Sequence, residues 1–350
     1  MPKKQEEKKI EPLTLKIKPD SVHFINMNRY YSMTDINVFA ITGGRGIGKT
    51  TGVMIHCVQD YINNGDEFIY VRRYKPEIIK AKSLLDSIAN RITTKGLGPG
   101  TFEYQYQGVR IGYGTALTVQ QSLKSGVDFS KVKTLIFDEY VLPPAGAGRY
   151  LPNEIELIFE LISTVFRARK DYRIFFLGNN TDMFNPLFAY FNVPIFKFSY
   201  CDKKRGLYCE MAKTKEELRK IEEETPLYKL TYGTNYAKYH YDNEVLSTVN
   251  GVIGKKNPKA ELMCRLIYNG QTLNIYRNKL DELFIEHREK RIDDDISLEL
   301  VDNNRPNYLN IDIYRHSQYK SIIDICYYAK KLIFNSQKAI QLLDYIMEVL

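Results

Sequence analysis

Short, almost continuously apolar runs separated by amphipathic stretches fill the first two hundred residues. "NVFAITG", "EFIYVRRYK", "VKTLIFDEY" and "YRIFFLGNN" are the four clearest runs. Runs of this length suit strands buried on both faces. Between them, residues 51–62 have helical spacing, Pro76 opens the helical "EIIKAKSLLDSIANRI", and a helix over about 153–169 follows the loop "VLPPAGAGRYLP". "TKGLGPGT" reads as a turn cluster, "FEYQYQGVRIGYG" alternates like a hairpin, and "TALTVQQSLKS" leads into a loop. Strands alternating with helices predict an α/β fold whose sheet is mainly parallel and covered on both faces.

The pattern changes near residue 200. "DKKRGLYCEMAKTKEELRKIEEETP" is dense in both charge signs and helical in composition, with Pro226 expected to end it. Beyond it, "KAELMCRLIYNGQTLNIYRN" predicts a hairpin turning at Asn269-Gly270, and helical stretches follow at about 316–331 and 337–350. The expected organisation is a basic flexible tail over 1–22, a larger α/β domain over 23–200, a charged helical linker or lid over 201–228, and a small C-terminal α+β domain over 229–350.

Chemistry enters with "GGRGIGKTT". Gly43, Gly48, Lys49 and Thr50 satisfy G-x-x-x-x-G-K-[ST], and the motif lies between a predicted strand and a predicted helix, where a phosphate loop belongs. Backbone N–H groups of Gly43, Gly44, Arg45, Gly46, Ile47, Gly48, Lys49, Thr50 and Thr51 would face an anion. Lys49 would reach the β- and γ-phosphates of ATP, and the Thr50 hydroxyl would ligate Mg²⁺. Asp138 ends the apolar run "TLIFDEY" and suits a second Mg²⁺-binding position, with Glu139 next to it as a carboxylate able to polarise water. Arg167 and Arg169 in "TVFRARK" fall at a predicted helix end, where arginine either complements the helix dipole or serves as a finger in a neighbouring site. Asn179 in "LGNN" either senses the γ-phosphate or caps its strand.

Composition narrows the setting. The 350 residues are 44% hydrophobic, no apolar run approaches 18 residues, and the five cysteines form no C-x-x-C pair. The expectation is a cytoplasmic protein with reduced thiols, no signal peptide and no membrane partner. Of the net charge of +8, most falls in residues 1–200, which hold 26 basic and 19 acidic side chains. That balance is compatible with a nucleic-acid partner. The first eighteen residues hold six lysines and three glutamates, and read as a solvated tail or as an electrostatic anchor.

The order "GGRGIGKT", "EFIYVRRYKPE", "QSLKS", "TLIFDEY", "RYLPNE", "TVFRARK", "LGNN" and "IYNGQTL" resembles the terminase-like DNA-packaging ATPases, or encapsidation proteins, of phi-twenty-nine-type small tailed bacteriophages. The similarity runs from about residue 37 to 280. It implies a homopentameric ring that threads double-stranded DNA into a preformed capsid by sequential ATP hydrolysis. The ring would sit transiently at the portal vertex, scaffolded by a packaging RNA, and be absent from the mature virion. Carried over by motif, Lys49 and Thr50 bind phosphate and Mg²⁺, Asp138 holds the metal, Glu139 is the base, and Arg167 is a finger acting in trans. Lys75 and Lys124 become candidates for intersubunit or DNA contacts. The C-terminal domain would be ribonuclease-H-like.

A nuclease of that fold needs clustered acids for two metals. The "LMCRLIY" strand offers no inward aspartate, and spacing does not bring Asp242, Glu261 and Asp312 together. The expectation is a nuclease-inactive module that binds DNA or RNA through Lys255, Lys256 and Lys259. A P-loop kinase of a small substrate, or a nucleotide-dependent switch, would also use the phosphate loop but would leave Glu139, Arg167 and the second domain without a role.

Overall fold

A computed structural model describes residues 12–17, 25–123, 127–142, 150–179, 185–191, 193–194, 198–234, 237, 241, 251–268, 270–278, 282–292, 294, 296–300, 314–329 and 331–349. The described elements follow in the order α1 (Asn28–Tyr31), β1 (Val38–Gly43), α2 (Lys49–Asn64), β2 (Glu67–Arg72), α3 (Lys75–Lys80), β3 (Ile92–Gly98), β4 (Thr101–Tyr106), β5 (Val109–Ala116), β6 (Val132–Asp138), α4 (Glu154–Phe166), β7 (Arg173–Leu177), α5 (Pro186–Phe191), β8 (Ser199–Asp202), β9 (Leu207–Ala212), α6 (Glu216–Glu223) and α7 (Pro226–Thr231). After these come β10 (Gly251–Ile253), β11 (Glu261–Tyr268), β12 (Gln271–Arg277), β13 (Leu283–Arg288), β14 (Ser297–Glu299), α8 (Gln318–Tyr328), β15 (Leu332–Phe334) and α9 (Gln337–Val349).

Nine strands form the first sheet, in the order β3-β4-β5-β2-β6-β7-β1-β9-β8. The four apolar runs are its centre, and β2, β6, β7 and β1 pair in parallel. Phe39, Phe68, Ile136, Phe137, Phe175 and Phe176 on these strands are fully buried, as expected of strands covered on both faces. All four strands end at the same edge, so Gly43, Arg72, Asp138 and Leu177 are brought side by side. The α/β expectation holds, and the 102–114 hairpin is β4 with β5.

The structure differs from the sequence reading at five places. The helix expected over 77–92 stops at Lys80, continues as a 3-10 turn over Ala81–Ser83, and then becomes irregular. Tyr104 Oη donates to the Ala81 carbonyl at 2.7 Å, tying the bend to β4, and Leu85, Ile88 and Ala89 beyond it are buried. "TKGLGPGT" is mostly the edge strand β3, because Thr93 and Thr94 pair with β4 and the turn needs only Gly98 and Gly100, the latter at φ +74°. The third difference is in the expected linker over 201–228: β9 inserts beside β1 and buries Leu207, Cys209 and Ala212, a short apolar run that the surrounding charges concealed. Its helical part is α6 and α7, and Pro226 starts α7 instead of ending a helix, since proline suits the first helical turn.

The expected flexible tail is packed over 12–17. Leu13 is buried, Leu15 forms an antiparallel bridge with Ala89, and Lys16 Nζ donates to the Asp86 carbonyl at 2.6 Å. The domain boundary is also not one cut. Residues 1–140, 160–178 and 201–230 make one compact unit, and 141–159, 179–200 and 231–350 make the other.

Within the second unit, six strands order as β10-β15-β13-β12-β11-β14. β11, β12 and β13 form an antiparallel meander, and β14 lies parallel to β11 on its other side. The Tyr268↔Gln271 pairing with Gly270 at φ +72° agrees with a two-residue turn; Asn269 itself lies outside the described residues. Leu266, Leu273, Ile275 and Ile285 point to a core shared with Ile340 and Leu343 of α9.

Glycine on β5 reports how closely the first sheet is packed. A β-carbon at Gly114 would stand 2.3 Å from a ring carbon of Phe102 on β4. Gly114→Ala should therefore cost roughly 1–3 kcal/mol, the usual range for overpacking, and lower the urea midpoint. Adding Phe102→Leu should recover part of the loss. An unchanged midpoint for Gly114→Ala would show that the ring does not lie against the strand.

Candidate nucleotide site

The loop from β1 to α2 is shaped by three glycines for different reasons. Gly46 and Gly48 adopt φ +82° and +68°, left-handed conformations that glycine accepts without strain. Gly43 is needed for space, because a β-carbon there would stand 2.8 Å from the Ala212 carbonyl oxygen of β9. The loop thus leads directly into the amino end of α2, where unpaired N–H groups favour an anion.

Lys49 Nζ donates to the carbonyls of Gly43 at 3.0 Å and Gly44 at 2.7 Å, folded back over the loop it closes. Burial pulls its pKa down to about 8, opposed by the nearby Asp138 and reinforced by Arg45. Such an ammonium is held by carbonyl dipoles and gains when a phosphate replaces them.

Thr50 Oγ1 lies 3.1 Å from both carboxylate oxygens of Asp138. Adjacent oxygen ligands of an octahedral Mg²⁺ at 2.0–2.1 Å stand about 3 Å apart, so the hydroxyl and carboxylate fit neighbouring corners of that metal's shell. Asp138 is buried, accepts from Tyr70 Oη at 2.6 Å, and is 3.4 Å from Arg72.

Sequence reasoning left the two arginines of "VRRYKPE" without a task, and the sheet supplies one. Strands β2 and β6 are neighbours with Val71 opposite Phe137, which sets Arg72 beside the acids. The Arg72 guanidinium pairs with Glu139 and lies 3.7 Å from Glu77. Burial works against its charge, but Tyr70, Asp138 and Glu139 more than compensate and hold its pKa above the ordinary arginine value. Arg73 is only 1% exposed and donates to the carbonyls of Glu139 and Tyr140, each at 3.0 Å. Glu139 itself sits at φ +58°, an unfavourable backbone region for glutamate, and its side chain projects into solvent. The legible signal was positional: two basic residues end the strand that must lie next to the acidic one.

The two arginines after α4 separate cleanly. Arg169 donates to the carbonyls of Ser130 and Val132 at 2.8 Å and of Val165 at 2.7 Å, tying the helix end to the start of β6. Arg167 is exposed at φ +50°, and among the described residues its side chain makes no hydrogen bond or ion pair. It precedes β7, whose Arg173 pairs with Thr134 near the start of β6. Arg167 therefore belongs to the amino edge of the sheet, roughly a strand length of 15 Å from its own Asp138 at the carboxyl edge.

Asn179 follows the carboxyl end of β7, where Gly178 N donates to the Ile41 carbonyl at 3.0 Å. Lys75 begins α3 and is exposed, with its stem against Gly100. Lys124, Asp242 and Asp312 lie outside the described residues. Lys255, Lys256 and Lys259 share one exposed loop before β11, with Lys256 Nζ 4.1 Å from the centre of the Tyr276 ring. On β11 a guanidinium occupies mid-strand: Arg265 donates to Asn274 at 3.0 Å and pairs with Asp294. Among the described residues no group of three or more His, Cys, Asp or Glu is placed to hold a metal ion.

Comparisons with known proteins give the family. Residues 19–347 match the family described as podovirus DNA encapsidation protein (Gp16). The DNA packaging proteins of Bacillus phages phi29 and PZA are each 31% identical over 260 residues, covering 73% of this chain and 76% of theirs. Among solved structures, the phi28 gp11 DNA packaging motor superposes with a TM-score of 0.66 at 19% identity, covering 94% of this chain and 98% of that one. The bacteriophage phi29 genome packaging motor assembly gives 0.59 at 24% identity, covering 93% and 98%. These two share the fold. The chain belongs to the podovirus DNA encapsidation protein family, the DNA-packaging proteins of phi29-like phages.

Proposed function

We propose that this packaging protein binds Mg²⁺-ATP on the loop 43–51 and hydrolyses it to drive double-stranded DNA into a capsid. The observation that carries the reading is the Thr50–Asp138 juxtaposition at 3.1 Å beside the folded-back Lys49. Three groups that a nucleoside triphosphate needs, an anion cradle, a cation and a pair of metal-binding oxygens, meet at one strand edge.

Lys49 would exchange the carbonyls of Gly43 and Gly44 for phosphate oxygens. Thr50 and Asp138 would hold the metal, which neutralises charge on the phosphates when bound. Glu139 would take a proton from the attacking water, and for this its carboxylate must leave Arg72. Asn179 would sense the γ-phosphate from the end of β7. Arg167 is too far from its own nucleotide, and its lack of partners among the described residues supports a role in a neighbouring subunit, as a ring of five would provide. Such a ring would assemble on the capsid portal with a packaging RNA, in the host cytoplasm and outside the mature virion. Lys75, Lys124, Lys255, Lys256 and Lys259 would contact nucleic acid or a neighbour. The C-terminal α+β domain would be a ribonuclease-H-like module without nuclease activity, since Arg265 stands mid-strand on β11 in place of an acid.

Lys49→Ala should abolish nucleotide binding in calorimetry, whereas Glu139→Gln should keep the affinity and lower hydrolysis by roughly 10²–10⁴-fold, the range for loss of a general base. Normal turnover by Glu139→Gln would remove it from that role.

Subunits carrying Arg167→Ala and Glu139→Gln should each be inactive alone on capsids and recover part of the ATPase when mixed. An Arg167→Ala protein with full capsid-stimulated turnover would rule out the finger.

Binding of DNA should weaken steeply between 50 and 200 mM salt, because lysine–phosphate contacts release counterions. Replacing Lys255, Lys256 and Lys259 together should flatten that slope, and an unchanged slope would move the nucleic-acid surface elsewhere.

A further inference from the structure

Helix α6 lies on the phosphate loop through two contacts of different kinds. Leu218 is buried in the same core as Ile47 of the loop and Ala212 of β9. One turn later, Glu222 reaches the loop itself, with Oε1 3.4 Å from where a β-carbon of Gly46 would be. The other oxygen, Oε2, is sealed from solvent and has no hydrogen-bond partner among the described residues. The two cations of α6 face other acids of the helix: Arg219 pairs with Glu223 at 3.1 Å and Lys220 with Glu216 at 3.8 Å. Arg219, one turn before Glu222 and the nearest cation on the helix, is thus engaged elsewhere.

A carboxylate without a cation is an expensive group to place against a protein surface. Here it stands at the edge of a loop whose N–H groups attract anions, so it is favoured there only while no stronger anion is bound. A nucleotide phosphate would bring several negative charges within a few ångströms of it, and the two cannot share the loop without repulsion. Burial already raises the Glu222 pKa, the direction expected for a carboxyl group that lacks a compensating charge.

We infer that Glu222 is a carboxylate gate on the phosphate loop, lowering nucleotide affinity by its charge and obliging α6 to withdraw when the loop is occupied. The inference rests on the nucleotide reading of the loop and adds a residue to it. Occupancy and helix position are then linked: binding moves α6 out, and return of α6 helps expel the product nucleotide.

The test is fluorescence titration of the full-length chain with Mg²⁺ and a fluorescent ADP. Glu222→Gln, which keeps shape and removes charge, should bind about tenfold tighter, a gain of about 1.4 kcal/mol. The gain should shrink as salt is added. Glu222→Ala should also bind tighter, and Glu217→Gln, an exposed acid of the same helix outside the contact, should match the wild type. In hydrogen exchange, the 216–223 amides of the wild type should exchange faster once nucleotide is bound. Measurable wild-type binding that is equal or weaker in Glu222→Gln overturns the gate alone; weaker binding would make Glu222 a nucleotide-contacting acceptor. Unchanged exchange over 216–223 overturns the link to α6. Absence of nucleotide binding by the wild-type chain takes down the nucleotide reading and the gate with it.

Discussion

The turn at Glu139 is the constraint on which the site depends. A glutamate at φ +58° is costly, and it holds that conformation because Arg73, almost wholly buried, donates to the carbonyls of Glu139 and Tyr140. A buried guanidinium left without those acceptors would itself be destabilising by several kcal/mol. Each partner therefore makes the other tolerable. The result is that Asp138 points inward to Tyr70 and Thr50 while the next side chain, Glu139, points outward to Arg72. In an ordinary extended strand end, alternation would also separate the two, but nothing would fix where the second carboxylate goes.

How much of this was readable follows from whether a feature is local. The phosphate loop was legible because its glycines and lysine act over eight consecutive residues, and the acidic strand end because an apolar run must be buried. Arg72 and Arg73 were visible as residues and opaque as roles, since their partners are 66 and 67 positions away and meet them only through the pairing of β2 with β6. Glu222 was hidden for the same reason, being 176 positions from Gly46. The strand β9 failed for another: five of its six residues are apolar, but they sit inside a stretch whose charge density speaks for helix. Local composition was the wrong scale there.

Arg167 and Arg169 show the limit from the other side. Both are arginines, two residues apart, after the same helix. Carbonyls of Ser130, Val132 and Val165 decide that Arg169 is part of the framework, and no sequence rule names carbonyls. What remains is an exposed cation at the amino edge of a sheet whose nucleotide loop is at the carboxyl edge.

That separation shapes how the proposed motor would be regulated. In the isolated chain, the loop lysine is held by carbonyls, the candidate base by Arg72, and the loop edge faces Glu222. All three are resting contacts that a bound triphosphate would have to replace. Arg72 and Arg73 are already engaged by the acids and carbonyls of β6, so neither can turn to charge developing on the transferred phosphate without breaking those contacts. On the proposed reading, a neighbour's Arg167 fills that gap, so hydrolysis waits for assembly. A packaging protein with this arrangement would spend little ATP until it sits in a ring, and each site would then fire only when the adjoining subunit presents its edge. The order of firing would follow from the geometry of one sheet, with its loop at one end and its exposed arginine at the other.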